Sequence, residues 1–314
     1  MSDIVVIIAP VFLIILAGTL LGRTRLFPDN ASHVCMNFVT YLAIPALLFR
    51  SLGARPLPGG AEMLLVAAYY LALYAVYALA VLVAGQLFNQ TRPERAVFGL
   101  SVSFANGVFI GVPVMEGAFG QEGVRLLLII LSFHTLTLVP VTTFLLERGR
   151  ALDGPGRTPV ARVVVEAFLS IRQNPIILAL VFSLLWSACG LPFPPWLDRL
   201  TALPAQAAAP VGLFAAGLAL VGVRIAGDLP QALTAVGFKL VLVPAAVYAM
   251  TRFAFDLPPL WVGTATLLAA LPTGMIAYGF AAQFDVGKRR AATTVLLSTL
   301  LSVVSLTVLL TLLV

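Results

Sequence analysis

Long apolar runs alternate along the whole chain with short segments that contain charged residues, glycine or proline. An α-helix needs about 20 predominantly apolar residues to cross the hydrocarbon core of a bilayer. Runs of this kind predict an all-α polytopic membrane protein with ten transmembrane helices. The helices are predicted at 4–22, 31–52, 61–88, 96–119, 122–146, 174–190, 200–221, 231–253, 260–283 and 289–314.

The predicted fourth helix contains a stretch of unusual composition at 101–120, which reads SVSFANGVFIGVPVMEGAFG. Its proline, Pro113, removes one backbone hydrogen bond from a helix. In hydrocarbon, freed backbone groups are tolerated only where protein or a water-filled cavity receives them. The stretch therefore predicts a broken helix near the bilayer midplane, as in the binding sites of secondary transporters. A proline kink that only helps helices to pack is the alternative.

The prolines also indicate a duplication. Three pairs recur at nearly the same interval in the two halves of the chain: Pro10 and Pro175, Pro45 and Pro210, and Pro113 and Pro272. Five helices in each half give the halves opposite orientations, which is a recurring plan in transporters. The prediction is a first five-helix repeat at 1–146, a cytoplasmic linker at 147–173 and a second, inverted repeat at 174–314.

The partner of the broken fourth helix is the segment 271–278, LPTGMIAY, in the predicted ninth helix. If the two interruptions cross, their half-helix N-termini present unpaired N–H groups and positive partial charge, which favour a small anion. We therefore predict that the crossing binds a carboxylate-bearing solute. The predicted substrate-binding residues are Asn106, Gly107, Gly111, Pro113, Pro272, Thr273 and Gly274 at the crossing, and Asn37, Tyr41 and Pro45 on the second helix. Interhelical bridging is the alternative role for Asn37 and Tyr41.

Ionisable residues inside a membrane span are candidate functional sites. His134 lies about 18 Å from the outer end of the fifth helix at 1.5 Å per residue, so it is a candidate for proton coupling. Lys239, in the eighth helix, is a second coupling candidate that could replace a sodium ion electrostatically. The structural alternatives are a histidine hydrogen-bonded to a neighbouring helix and a lysine that reaches the interface. Glu116 is expected near the outer surface.

Composition and charge fit this picture. Hydrophobic residues make up 61% of the chain and charged residues only 10%, whereas soluble domains carry about 25% charged residues. The net charge of +6 arises from basic residues in short loops, so topology explains it without nucleic acid as a partner. Most of these residues follow odd-numbered helices, which predicts cytoplasmic odd loops, both termini outside and insertion in the cell inner membrane. Cys35 and Cys189 support neither a disulfide framework nor a metal site, and no cofactor is expected.

Several motifs resemble the auxin efflux carrier family over essentially the whole chain. They are Asn37-Phe-Val-x-Tyr41-x-x-x-Pro45, Asn106-x-x-x-x-Gly111-Val-Pro113, Asn174-Pro175, Leu271-Pro272-x-Gly274 and Ser298-Thr299. The resemblance implies the fold of the bile-acid-symporter-like transporters, with a scaffold of helices 1, 2, 6 and 7 and a transport domain of helices 3–5 and 8–10. It also implies elevator-type movement and organic anions as substrates. The short central linker is similar to that of the compact prokaryotic members, and Glu116 departs from the plant carriers.

The predicted function is secondary transport of small organic anions across the inner membrane, with protons as a candidate co-substrate and a homodimer left open. A sodium-coupled symporter of the bile-acid type is the alternative within transport. A non-transporting sensor and an intramembrane enzyme are alternatives from other classes. The chain has no GxxxxGK[ST] phosphate loop, no HExxH zinc spacing and no Gly-x-Ser-x-Gly elbow, so an enzyme is not expected.

Overall fold

The computed structural model describes residues 2–24, 26–153, 175–221 and 229–313. Within these ranges every regular element is helical. The helices are α1 Ser2–Gly22, α2 Ala31–Gly53, α3 Gly60–Phe88, α4 Arg92–Ser103, α5 Gly107–Asp153, α6 Pro175–Ala188, α7 Pro195–Ala219, α8 Leu229–Ala254, α9 Pro259–Ala270, α10 Met275–Gln283 and α11 Lys288–Leu313. Helices α2, α5 and α8 each contain π-helical turns.

Seven of these helices are long and apolar enough to cross a membrane, namely α1, α2, α3, α5, α7, α8 and α11. The chain is therefore a polytopic membrane protein, as the sequence predicts. The other described helices, α4, α6, α9 and α10, are each too short to cross alone, because they have 12, 14, 12 and 9 residues. The number of ten crossings and the inverted repeat stay predictions.

The fourth, fifth and ninth predicted helices differ from the structure in their boundaries. The predicted helix at 96–119 corresponds to α4 and the first part of α5, which then continues as one long helix through Asp153. This long helix bends at Gly120, whose φ of 62° and ψ of −159° suit glycine alone. The predicted ninth helix at 260–283 is divided into α9 and α10. Residues 154–173 of the predicted linker, and Asn174 at the start of the predicted second repeat, lie outside the described residues.

Helices α1, α2, α6 and α7 pack on one another. α1 lies against α7, and α2 lies against both α6 and α7. Gly18 and Gly217 allow the backbones of α1 and α7 to touch, because a Cβ on Gly217 would overlap the Ile15 carbonyl oxygen. Thr19 Oγ1 donates to the Gly217 carbonyl oxygen at 3.0 Å across this contact. Small residues and such hydrogen bonds are typical of tight helix pairs in membranes.

The remaining helices form a second packing group. α4 packs against α3 and the end of α5, α9 packs against α5 and α8, and α11 packs against α8 and α10. The largest fully buried side chains include Tyr69, Phe98 and Lys239, all from this group. The two interruptions in the helices, between α4 and α5 and between α9 and α10, lie in the same group.

Candidate functional site

The two interrupted helices meet through short extended segments. Ala105 and Thr273 form an antiparallel bridge. The Asn106 N–H donates to the Pro272 carbonyl oxygen at 2.8 Å, and the Gly274 N–H donates to the Phe104 carbonyl oxygen at 2.9 Å. Two of the N–H groups released by the breaks are therefore satisfied by the other break, as a low-dielectric interior requires.

The break in the first of these helices lies at 104–106, upstream of Pro113 rather than at it. Pro113 is tolerated inside α5 because it follows a π-helical turn, Gly107–Gly111. Proline has no N–H to donate, and its ring needs space next to the preceding turn. The wider π-helical turn provides that space, so the helix continues past Pro113. In the second helix Pro272 lies within the break itself, between the end of α9 and the start of α10.

A cavity of about 390 Å³ lies against this crossing. Its walls come from α2 and α6 on one side and from α5, α10 and the extended segments on the other. The lining is mostly apolar and contains no aspartate, glutamate, lysine or arginine among the described residues. The polar side chains that line it are Thr40, Asn106, Ser132, His134 and Thr135.

The cavity meets the N-termini of α5 and α10. Gly107 begins α5, and Gly274 immediately precedes the first residue of α10; both line the cavity. The first N–H groups of a helix have no partner within it and carry positive partial charge. The Asn106 side chain has no hydrogen-bond partner in the described part of the chain, although Asn106 is only 8% exposed. This arrangement is suited to an anion of modest size with an apolar body.

Three of the predicted crossing residues, Asn106, Gly107 and Gly274, line the cavity, and two hold the crossing together. Thr273 is fully buried, its Oγ1 donates to the Ser101 carbonyl oxygen at 2.8 Å, and its N–H donates to Ser298 Oγ at 3.1 Å. Pro272 contributes the carbonyl that Asn106 bonds.

Gly111 and Pro113 lie outside the cavity lining. A Cβ on Gly111 would lie 2.7 Å from Leu271 Cδ1, so this glycine allows α5 to pack against the second break. Pro113 lines a separate apolar cleft between α5 and α1, which Pro10 and Gly117 also line.

The structure turns a different face of α2 toward the cavity than the sequence analysis expects. Asn37, Tyr41 and Pro45 do not line it, and Tyr41 is 67% exposed. The lining face of α2 consists of Met36, Thr40, Ile44 and Leu48. Their spacing of four residues is the repeat of one helical face and is the signal by which the sequence could have indicated them.

His134 is 1% exposed and lines the cavity from α5. Its Nδ1 lies 2.6 Å from the Tyr70 hydroxyl of α3, and its Nε2 has no hydrogen-bond partner among the described residues. Tyr70 is a residue that the sequence analysis did not single out. The only sequence signal is the tyrosine-rich run YYLALYAVY in α3.

Lys239 is fully buried in α8, away from the cavity lining. Its Nζ donates to the Ala269 carbonyl oxygen at 2.8 Å. Ala269 is the residue before the last of α9, so the ammonium group lies at the carboxyl end of this half-helix, where the helix dipole is negative.

The chain is similar to one protein family and to several transporter-named proteins over almost its whole length. A family model described as "Membrane transport protein" matches residues 3–310. A protein of Rhizobium meliloti named "Putative malonate transporter" is 29% identical over 98% of this chain and 95% of its own length. The "Uncharacterized transporter YfdV" of Escherichia coli is 24% identical over 93% of this chain and 91% of its own length. An "Uncharacterized transporter" of Methanothermobacter thermautotrophicus is 23% identical over 94% of each chain.

Proposed function

The chain belongs to the membrane transport protein family, and from that premise we propose that it carries small organic anions, carboxylates in particular, across the cytoplasmic membrane. The family assignment confirms the relationship predicted from the sequence motifs and indicates a transporter rather than an enzyme. The name of the Rhizobium meliloti relative supports carboxylates as the substrate class.

The observation that carries this proposal is the cavity at the paired breaks. Two helix N-termini and Asn106 meet there without a lysine or arginine in the described lining. A helix N-terminus stabilises an anion through its free N–H groups and its dipole. The apolar remainder of the lining can contact the carbon chain of the solute.

The proposed mechanism is elevator-type alternating access with ten crossings in two inverted five-helix halves. In this proposal α1, α2, α6 and α7 form the scaffold, and the remaining helices move as the transport domain. The packing of α1 and α2 on α7 supports this division. The basic loops support cytoplasmic odd-numbered loops and termini that face outward.

Uptake of radiolabelled malonate and butyrate into proteoliposomes tests the function. Asn106→Ala removes a hydrogen bond to a charged group, worth about 1.5–3 kcal/mol, so uptake should fall at least about tenfold. Asn30→Ala is the matched control, because Asn30 is an exposed residue before α2 that makes no side-chain cap. Asn106→Ala uptake equal to that of Asn30→Ala would contradict the site. Binding of either acid without any uptake would favour the sensor instead.

Sodium coupling is the competing proposal within transport, and Lys239 argues against it. Its ammonium group already occupies the carboxyl end of α9, where carbonyl oxygens would bind a cation. We therefore expect coupling to protons or to the membrane potential. Uptake should be the same when choline replaces sodium in the same vesicles, and a requirement for sodium would reverse this assignment.

A further inference from the structure

His134 and Tyr70 form a buried hydrogen-bonded pair beside the cavity. The Tyr70 hydroxyl oxygen lies 3.0 Å from the Ile130 carbonyl oxygen and 2.6 Å from His134 Nδ1. Each contact requires a proton between its two atoms, and the hydroxyl supplies only one. Because a carbonyl oxygen cannot donate, the hydroxyl donates to Ile130 and the His134 Nδ1–H donates to Tyr70 Oη. The neutral imidazole therefore carries its proton on Nδ1, and Nε2 is an acceptor.

This Nε2 is a buried acceptor on a residue that lines the cavity. It has no partner among the described residues although the imidazole is almost completely buried, and a buried polar atom without a partner is unfavourable. His134 is also one of the cavity-lining residues, together with Asn106. A carboxylate oxygen and a bare Nε2 are both acceptors, so they can pair only if a proton lies between them.

We propose that His134 Nε2 contacts the cargo directly and that the cavity binds one carboxylate together with one proton; this inference rests on the proposed carboxylate transport. The proton comes from water on the side to which the cavity is open. In the bound state this proton lies between Nε2 and a carboxylate oxygen. The pair can be written as imidazolium and carboxylate or as neutral imidazole and carboxylic acid, because both forms contain the same atoms and the same net charge. Tyr70 is a positioning residue, because it fixes the proton of the empty site on Nδ1.

The surroundings of His134 link the two binding events. Tyr69 and Tyr70 face the ring from α3, and Phe104 faces it edge-on with ring centroids 5.4 Å apart. Among the described residues, Lys239 of α8 is the charged group that acts on the ring, and no acidic side chain lines the cavity. An imidazolium in the empty cavity would be a buried charge without a counter-ion. The carboxylate supplies the counter-ion, so anion and proton binding reinforce each other.

Titration calorimetry of the purified protein with butyrate tests this stoichiometry. Measurements at pH 7 and 8 use pairs of buffers with different ionisation enthalpies, which report the protons taken up. Side-chain carboxyl groups titrate near pH 4, so an ordinary carboxylate such as butyrate is ionised at both pH values. We expect uptake of one proton per butyrate and a Kd that rises about tenfold between pH 7 and 8. Binding with no proton uptake and an unchanged Kd would overturn the inference.

Three variants separate this role from a structural one. In His134→Gln the amide can donate to a carboxylate without a proton, so binding should lose its pH dependence and its proton uptake. Tyr70→Phe keeps the ring but frees the Nδ1 proton to move to Nε2, so fewer than one proton should accompany each butyrate. His33→Gln is the control, because His33 is the only other histidine and is exposed; it should behave as the wild type.

The outcomes also separate this inference from the proposed function. If the wild-type protein binds neither butyrate nor malonate, carboxylate transport is wrong and the inference falls with it. If butyrate binds without proton uptake, or if Tyr70→Phe keeps the full uptake of one proton, carboxylate transport stands and the inference is wrong. The wild-type and Tyr70→Phe measurements decide this even if His134→Gln does not fold.

Discussion

Lys239 shows how a single buried cation can be held without an acid beside it. Its Nζ is fully buried and donates to the Ala269 carbonyl oxygen. The carboxyl end of α9 carries about half a negative elementary charge from aligned peptide dipoles. The hydrogen bond and the dipole therefore act together as a partial counter-ion.

Replacement of Lys239 by methionine tests whether this charge matters for transport. The change leaves the α9 carbonyl without its donor, a charged hydrogen bond worth about 1.5–3 kcal/mol, so uptake of the carboxylate should fall at least about tenfold. Lys288→Met is the matched control, because Lys288 is the only other lysine and is half exposed beside Asp285. Equal uptake by both variants would contradict a role for the buried ammonium group.

At the residue scale, the sequence identifies candidate functional side chains better than it identifies which residues contact one another. His134 and Lys239 are conspicuous because an ionisable group in an apolar run is costly, and both are buried in the structure. Tyr70 is not conspicuous, since its partner lies 64 residues away. Likewise, Met36 lines the cavity while its neighbour Asn37 does not. Successive residues point about 100° apart around a helix, and only tertiary packing fixes its rotation.

At the scale of the helix, four prolines share one local arrangement. Each lies two residues after a π-helical turn, and the pairs are Val39–Ala43 with Pro45, Gly107–Gly111 with Pro113, His134–Leu138 with Pro140, and Phe238–Leu242 with Pro244. A proline leaves one carbonyl without its N–H partner. A turn with one extra residue provides room for the ring while the helix continues, which is why Pro113 does not break α5.

The π-helical turn before Pro140 begins at His134, so this proline should affect the site. Pro140→Ala restores an N–H that can bond the residue four positions earlier and close the turn to α-helical geometry. His134 should then shift away from Tyr70, and butyrate binding should weaken by about tenfold, corresponding to the roughly 1.4 kcal/mol of one hydrogen bond. Calorimetry on the variant measures this change.

Pro204→Ala is the control for this variant, because Pro204 lies inside α7, which contains no π-helical turn. It should bind butyrate as the wild type does. Binding by Pro140→Ala that matches the Pro204→Ala control would show that tertiary contacts alone hold His134 in place.

The break at 104–106 could not be located from the local sequence. The stretch 101–120 predicts an interruption because glycine and proline are concentrated there, but its position depends on the partner segment. Asn106 and Phe104 exchange hydrogen bonds with Pro272 and Gly274, more than 150 residues away in the chain. In contrast, the uninterrupted helices begin and end within five residues of the predicted apolar runs, the largest difference being at the start of α7.

At the scale of the molecule, one cluster of ion pairs lies at the predicted outer ends of the helices, outside the cavity lining. The cavity reaches Met36 in the second turn of α2 and Pro175 at the start of α6, both on the predicted cytoplasmic side. On the predicted outer side, Arg55 pairs with Glu122 at 3.1 Å, and Arg125 pairs with both Glu122 and Glu62. Under the proposed topology and mechanism, we expect this conformation to be open inward and closed outward.

Among the ion pairs between described residues, only Arg55–Glu122 connects the proposed scaffold with the proposed transport domain. Arg55 follows α2, and its carbonyl oxygen accepts a hydrogen bond from Ser187 of α6, whereas Glu122 lies on α5. If the transport domain moves, this pair must separate. Both side chains are about 40% exposed, so the pair is worth about 0.2–1 kcal/mol. Its loss should shift the equilibrium toward the outward-open state by up to about fivefold.

Arg55→Gln tests this movement directly. The native cysteines are first removed by Cys35→Ser and Cys189→Ser, and Val108→Cys then places one thiol in the cavity. A membrane-impermeant thiol reagent is added from outside, and the rate at which it modifies this thiol is measured. Arg55→Gln should raise this rate of modification by up to about fivefold. Arg252→Gln is the matched control, because Arg252 pairs with Asp256 four residues away and connects no second helix group. Equal modification rates in the two variants would mean that the Arg55–Glu122 pair does not stabilise the outward-closed state. A higher rate in Arg55→Gln alone would show that the pair does stabilise that state.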